Sequence, residues 1–348
     1  MTEEKSEKRK IDRIRDSAGM FTVGDESDGA VKSLATIGGR LYAIKDKAIY
    51  TVALADDIDP ERSREDIPNT VQKVFDLGSS DEIVIRSLLI GIELFRKDRL
   101  QEPVDYEAAL TYVFNVLRDL ISAFEISGAV DKFIAKEREN SIKPKGGAVA
   151  LPSYPALYAE VKNFIQKLDH AMQNIFNLAC VFYGEETLRK AGKWLDGLAC
   201  HLAAALPPGN DFIGFARELA NFGKMVRNNR HCIEHSRPTQ RIELHDYRIT
   251  ATRELLEPSI AVVHDETPVD LTPVDQFMHF FNEQALAGTE LLMVFLAGHH
   301  LAPLGQFQIG VGEVPEEQRR VGVRFGYLIN FNGKPQRLGL DEIQSDAR

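Results

Sequence analysis

The chain has 348 residues, with 42 Lys and Arg against 52 Asp and Glu for a formal net charge of −10, and it is 44% hydrophobic and 27% charged. That length and apolar content can bury a sizeable core in one large or two ordinary domains, and they exclude a disordered chain, a collagen-like repeat and a disulfide-stapled miniprotein. The acidic balance excludes indiscriminate attraction to polyanions over the whole surface, so any nucleic acid must be met by a local basic patch.

Residues 1–18 mix charges of both signs and lack the apolar stretch of a secretory signal, which predicts a charged tail or solvated helix on a cytoplasmic protein. From Val31 to Leu54 short apolar runs are broken at Gly38-Gly39 and Asp46-Lys47, the punctuation of a small β-meander, and Asp56 to Asp66 reads as a charged linker. Ser79 and Glu82 then spell a capping box before apolar positions Ile83, Leu88, Ile92 and Phe95. A second helix is predicted over Tyr106 to Arg138, with Leu110, Val113, Leu117, Leu120 and Phe124 on one stripe. Ser141 to Ser153, rich in Gly, Pro and Lys, marks an internal boundary.

Four further helices follow. Tyr154 to Tyr183 ends at Gly184, and Glu186 to Leu206 ends at Pro207-Pro208-Gly209. Phe212 to about His235 is capped by Asp211 and closed by Pro238, and Pro273 to about His300 is capped by Thr272. A hairpin-like insertion, Arg241 to Ile249 and Ser259 to His264, separates the last two. A second β segment, Gln306 to Val311 with Arg320 to Phe331, ends at an Asn332-Gly333 turn. The expected fold is α+β and predominantly α-helical, with up-and-down helix bundles carrying small peripheral antiparallel β hairpins. Its expected segments are a charged tail and small β-meander over 1–60, a helical region over 61–150, a helical bundle over 151–300 with the β-hairpin insertion at about 241–266, and a C-terminal β segment and tail over 301–348. Glu290, His299 and His300 interrupt the most apolar window, Leu286 to Leu304, which therefore reads as a core helix and predicts no membrane partner. Trp194, the single tryptophan, is expected in the core, and Cys180, Cys200 and Cys232, with no C-x-x-C pair, as reduced thiols.

One stretch carries chemistry. Between Lys224 and Arg241 lie five basic residues, at 224, 227, 230, 237 and 241, against one acidic residue, Glu234. On a helix Arg227, His231 and His235 share a face, with Arg230 and Glu234 beside it. Imidazoles flanked by guanidinium groups suit a phosphodiester and a proton transfer near neutral pH.

Arg230-His231-x-x-x-His235, with Glu234 directly before the last His, resembles the R-[polar]-x-x-x-H signature of HEPN domains. These are helical bundles of bacterial toxins, phage-defence nucleases and nucleotide-binding accessory proteins. The resemblance spans about Tyr154 to His300. It implies a metal-independent endoribonuclease or an RNA- or nucleotide-binding protein without a cofactor, acting as a homodimer in which two protomers bring their motifs together. It further implies that His235 exchanges a proton with the 2′-hydroxyl or the leaving 5′-oxygen and that Arg230 stabilises the phosphorane-like charge. His231 stands as a third catalytic candidate, with Arg227, Glu234, Arg237 and Lys224 as binding residues.

Two alternatives share these letters. His231-Cys232-Ile233-Glu234-His235 matches H-x-x-E-H, in which His231 and His235 bind zinc and Glu234 polarises the bound water, with Glu313, Glu316 or Glu317 as third ligand. In the other, the protein is a non-enzymatic helical interaction module, and the cluster simply caps a helix C-terminus through the macrodipole and a Glu234–Arg230 pair. His299-His300 reads as a helix-end cap, and no G-x-x-x-x-G-K-[ST] or G-x-S-x-G motif occurs.

Overall fold

The computed structural model describes residues 8–17, 21–138, 144–145, 148–304, 307–331 and 334–338. It is a mainly helical α+β arrangement with small antiparallel sheets. The Asn332-Gly333 turn and part of the Ser141 to Ser153 break lie outside the described residues.

The meander forms as β1 (Val31–Ile37), β2 (Arg40–Lys45) and β3 (Ile49–Ala53), and a fourth strand, β4 (Thr70–Phe75), extends it in the order β1-β2-β3-β4. β4 falls in the stretch expected to be helical. Its Thr, Val and Phe content suits a pleated surface, and β3 supplies the backbone partners that a six-residue segment lacks alone. The helical stretch 82–94 starts without the expected capping box: the Asp81 carboxylate accepts from the Gly78 N–H at 2.7 Å, while Ser79 Oγ is buried without a partner.

Helix α1 (Tyr106–Arg138) has the predicted ends. It packs antiparallel to α2 (Leu157–Tyr183), with Phe133 stacked on Tyr154 at 4.3 Å near one end and Asn174 donating to Asp119 at 3.1 Å further along. Gly184, at φ 82°, ends α2 as expected. The single helix expected over 186–206 is two, α3 (Glu185–Ala191) and α4 (Leu195–Ala205), joined through Trp194 at φ 58°. They meet backbone to backbone: a Cβ on Gly197 would lie 2.2 Å from the Leu188 carbonyl oxygen.

The N-cap of α5 (Asp211–Glu234) is Asn210, one residue before the expected Asp211, and its side chain accepts from the Phe212 N–H at 2.9 Å. The expected Thr272 cap is also corrected. Thr272 belongs to a strand and its hydroxyl donates to the Asp270 carbonyl at 2.8 Å, while α6 (Val274–His299) begins after Pro273.

The insertion is a three-stranded sheet, β5 (Arg241–His245), β6 (Ser259–Val263) and β7 (Val269–Pro273), in the order β7-β6-β5. After the last helix β8 (Ile309–Glu313), β9 (Phe325–Phe331) and β10 (Lys334–Arg337) pair in sequence order. One buried apolar cluster runs from Ile37 through the helices to Tyr327, drawing on all four expected segments. Among the described residues, no helix is long and apolar enough to cross a membrane, and the three cysteines are free.

Candidate functional site

The site is the last three turns of α5. Its inner face buries Phe222, Val226, Asn229, Cys232 and Ile233, so positions 224, 227, 230, 231 and 234 are left toward the rim. Packing against α2 brings the centre of the site together. Arg230 Nη1 donates to Asp169 Oδ2 at 2.6 Å and its Nε to Glu234 Oε2 at 3.1 Å. Gln166 Nε2 donates to Glu234 Oε1 at 2.8 Å, and Gln173 Nε2 to Asp169 Oδ2 at 2.7 Å. Asp169 is fully buried and its Oδ1 has no partner.

Two shifts follow from this network. The Gln166 hydrogen bond, followed by the Arg230 charge, holds Glu234 below the usual carboxylate range, and the Asp169 hydrogen bond raises Arg230 above its ordinary value. Arg230 Nη2 is the guanidinium nitrogen left without a carboxylate among the described residues. The expected Glu234–Arg230 pair is therefore present, as one arm of a wider network.

His231 is half-buried and His235 exposed, with ring centroids 5.1 Å apart. His235 is the C-cap of α5, its N–H bonded to the His231 carbonyl at 2.8 Å. The helix thus ends where expected, at about His235, and Arg237 lies exposed beyond its end.

The excess of basic residues in this stretch does not survive folding as a continuous patch. Lys224 is paired to Glu266, Arg241 to Glu243, and Arg230 to Asp169 and Glu234. Among the described residues Arg227 and Arg237 remain without a carboxylate partner. Trp194, expected in the core, is half-buried, and the Arg227 guanidinium carbon sits 3.3 Å from its ring centroid.

Asp169 and Gln166 were invisible to motif reading. The available signal was a carboxylate at Asp169 between Ile165 and Met172, inside the apolar stripe of α2, where an acid must have a partner.

For the zinc alternative, Glu313 is engaged by Arg319 at 3.0 Å and Arg324 at 3.1 Å, and Glu316 and Glu317 form a 3-10 turn. Among the described residues, no three His, Cys, Asp or Glu side chains gather as a metal-ligating group. Pro238 and Thr239, just beyond the helix, line a cavity of about 440 Å³ with Val263 and Leu271. At the far end of α6, His299 accepts from or donates to the Tyr183 hydroxyl at 2.9 Å, and His300 is the C-cap. No family model, curated protein or solved structure matches the chain.

Proposed function

We propose that this chain is a HEPN-like RNA-binding protein whose up-and-down helical bundle carries a metal-independent endoribonuclease site at the C-terminal end of α5. The reading is carried by the His231–His235 pair: two imidazoles 5.1 Å apart, one exposed, on the helix end that also holds Arg230. One imidazole takes the proton of an RNA 2′-hydroxyl, whose oxygen attacks phosphorus to give a 2′,3′-cyclic phosphate. The other returns a proton to the departing 5′-oxygen. Imidazoles as a class titrate where both transfers are feasible at neutral pH.

Arg230 Nη2 is the donor available to the phosphorane charge, and Asp169 and Glu234 hold the guanidinium in place for it. Arg227 and Arg237 supply uncommitted positive charge, whereas Lys224 reaches RNA only by leaving Glu266. Two protomers placing their α5 ends together complete the arrangement, and a dimer is the expected species in sedimentation.

Purified protein incubated with single-stranded RNA in EDTA is expected to leave cyclic-phosphate ends. His235→Ala, still folded, should cut at least about 100-fold more slowly, the lower bound for a lost general acid or base. RNA left intact by the wild-type protein overturns the catalytic reading.

A second reading has its own observation. Arg230 is tied to a fully buried carboxylate, as in a non-enzymatic interaction module whose cluster only secures the helix end. Under it, Arg230→Ala lowers stability and changes neither RNA binding nor cleavage.

A further inference from the structure

Arg227 is the site cation that rests on an aromatic ring, whereas Arg237 lies exposed beyond the helix end. Lys224, Arg230 and Arg241 each face a carboxylate within ion-pair distance, whereas Arg227 faces the ring of Trp194. A guanidinium carbon 3.3 Å from the ring centroid leaves no room for an N–H aimed at the ring, because the nitrogen would then approach the ring atoms far inside contact distance. The guanidinium therefore lies flat on the indole. One of its faces is covered by the indole, and the residue as a whole is exposed, with no hydrogen bond drawing its N–H groups to another side chain among the described residues.

The platform is also held by its neighbours. Trp194 is a non-glycine residue at φ 58°, set between Gly192 and the close Gly197–Leu188 backbone contact, with Phe176 in a parallel ring arrangement at 6.4 Å. A strained backbone position and a packed indole hold the plane on which Arg227 rests. Asp169 acts on Arg227 only through space and leaves its donors free.

Along α5, Arg227 precedes His231 by one turn and His235 by two, roughly 6 and 12 Å of helix rise on one face. A flat, charged plane at that distance matches the two needs of a nucleotide flanking a scissile phosphate, which are stacking for a base and edge donors for a phosphate.

We infer that Arg227 stacked on Trp194 is a preformed nucleotide-binding platform, on which a base of single-stranded RNA stacks against the outer face of the guanidinium while its edge donates to the adjoining phosphate. The inference rests on the RNA reading of the α5 end, and it assigns substrate recognition to Arg227 and Trp194, separate from the proton transfer at His231 and His235.

Trp194 is the only tryptophan of the chain, so its emission reports this platform alone. The experiment titrates the full-length protein with a short oligo(A) RNA, following Trp194 emission and, in parallel, the anisotropy of the same RNA carrying a fluorophore. Saturable change in Trp194 emission is expected, with oligo(A) binding more tightly than oligo(U) because purines stack more strongly. Arg227→Ala should weaken binding about fivefold or more, the low end for one lost stacking contact. Arg227→Lys, which keeps the charge and loses the plane, should recover less than half of that loss in log affinity. Unchanged melting temperatures establish that both variants fold. RNA that binds with Trp194 emission unchanged, or with Arg227→Ala as tight as wild type, overturns the platform and leaves the RNA reading standing. Absence of any anisotropy change with wild-type protein overturns both.

Discussion

Arg230 is held from two directions, by a carboxylate one turn along its own helix and by a fully buried carboxylate on α2. An unpaired charge in the Asp169 position is expensive, because burial removes the water that would solvate it. Arg230→Ala should therefore destabilise the fold by about 2 to 3 kcal/mol in urea denaturation, below the usual cost of breaking a buried pair because the arginine itself is partly solvated. Asp169→Leu combined with Arg230→Met should recover most of that loss, since no charge is then left buried. A double variant no more stable than Arg230→Ala would show that the pair stabilises through more than charge compensation. The same contacts limit what Arg230 can offer a ligand: paired with two acids, it is a held donor with one free nitrogen, and under the RNA reading proposed above the attraction falls to Arg227 and Arg237.

Among the elements, α3 and α4 are the pair in which a single residue decides the geometry. Gly197 brings its backbone against the Leu188 and Gly192 carbonyls, and any side chain there must push the two helices apart because the obstructing atoms are backbone. Gly197→Ala should cost about 3 kcal/mol, the magnitude of overpacking a tight contact, outweighing the few tenths to 1 kcal/mol that alanine offers in a helix. Because this contact also seats Trp194, the variant should shift the emission of that residue together with the melting temperature. Unchanged emission in a destabilised protein would separate the α3–α4 contact from the indole's position. Gly214, on α5 with nothing within 4 Å of its missing Cβ, serves as the control, where alanine should be neutral or stabilising.

At the level of the whole molecule, the core runs without interruption from the N-terminal sheet, through the helices, to the C-terminal sheet, where the buried Tyr327 hydroxyl donates to the Leu94 carbonyl. His300 stands where these parts converge: its carbonyl accepts from the Gln101 N–H at 2.9 Å, and its ring meets Phe182 and Tyr183 edge-on. Burial, aided by the neighbouring His299, pushes its pKa down to about 4 from the ordinary histidine range. The unfolded chain takes up this proton at higher pH than the folded one. The stability His300 contributes is thus fully present above about pH 6.5, falls as the pH drops from there toward 4, and is gone below. His300→Gln should flatten the stability curve across that window by about 2 kcal/mol relative to wild type, a value reduced for the ring's partial exposure. Parallel curves for the two proteins between pH 4 and 7 would remove His300 as the source.

Periodicity and local stop signals determined the helices that lie on a continuous apolar stripe. Both ends of α1 and the Gly184 terminus of α2 were legible because helix burial repeats every three to four residues and a left-handed terminus favours glycine. The Arg227, Arg230, His231 and His235 spacing was legible for the same reason, as positions on one helix. Tertiary structure alone decided the rest. β4 exists because β3 offers it an edge, and the break in the 186–206 helix goes with a close backbone approach of Gly197 to Leu188 that its local sequence does not announce. The charge of the site is largely offset by partners distant in sequence, Asp169 at a separation of 61 residues and Glu266 in the turn between β6 and β7. Coulomb interactions act through space and not along the chain, so counting charges in a window measures composition, and the field at a phosphate is known only once the helices have chosen their neighbours.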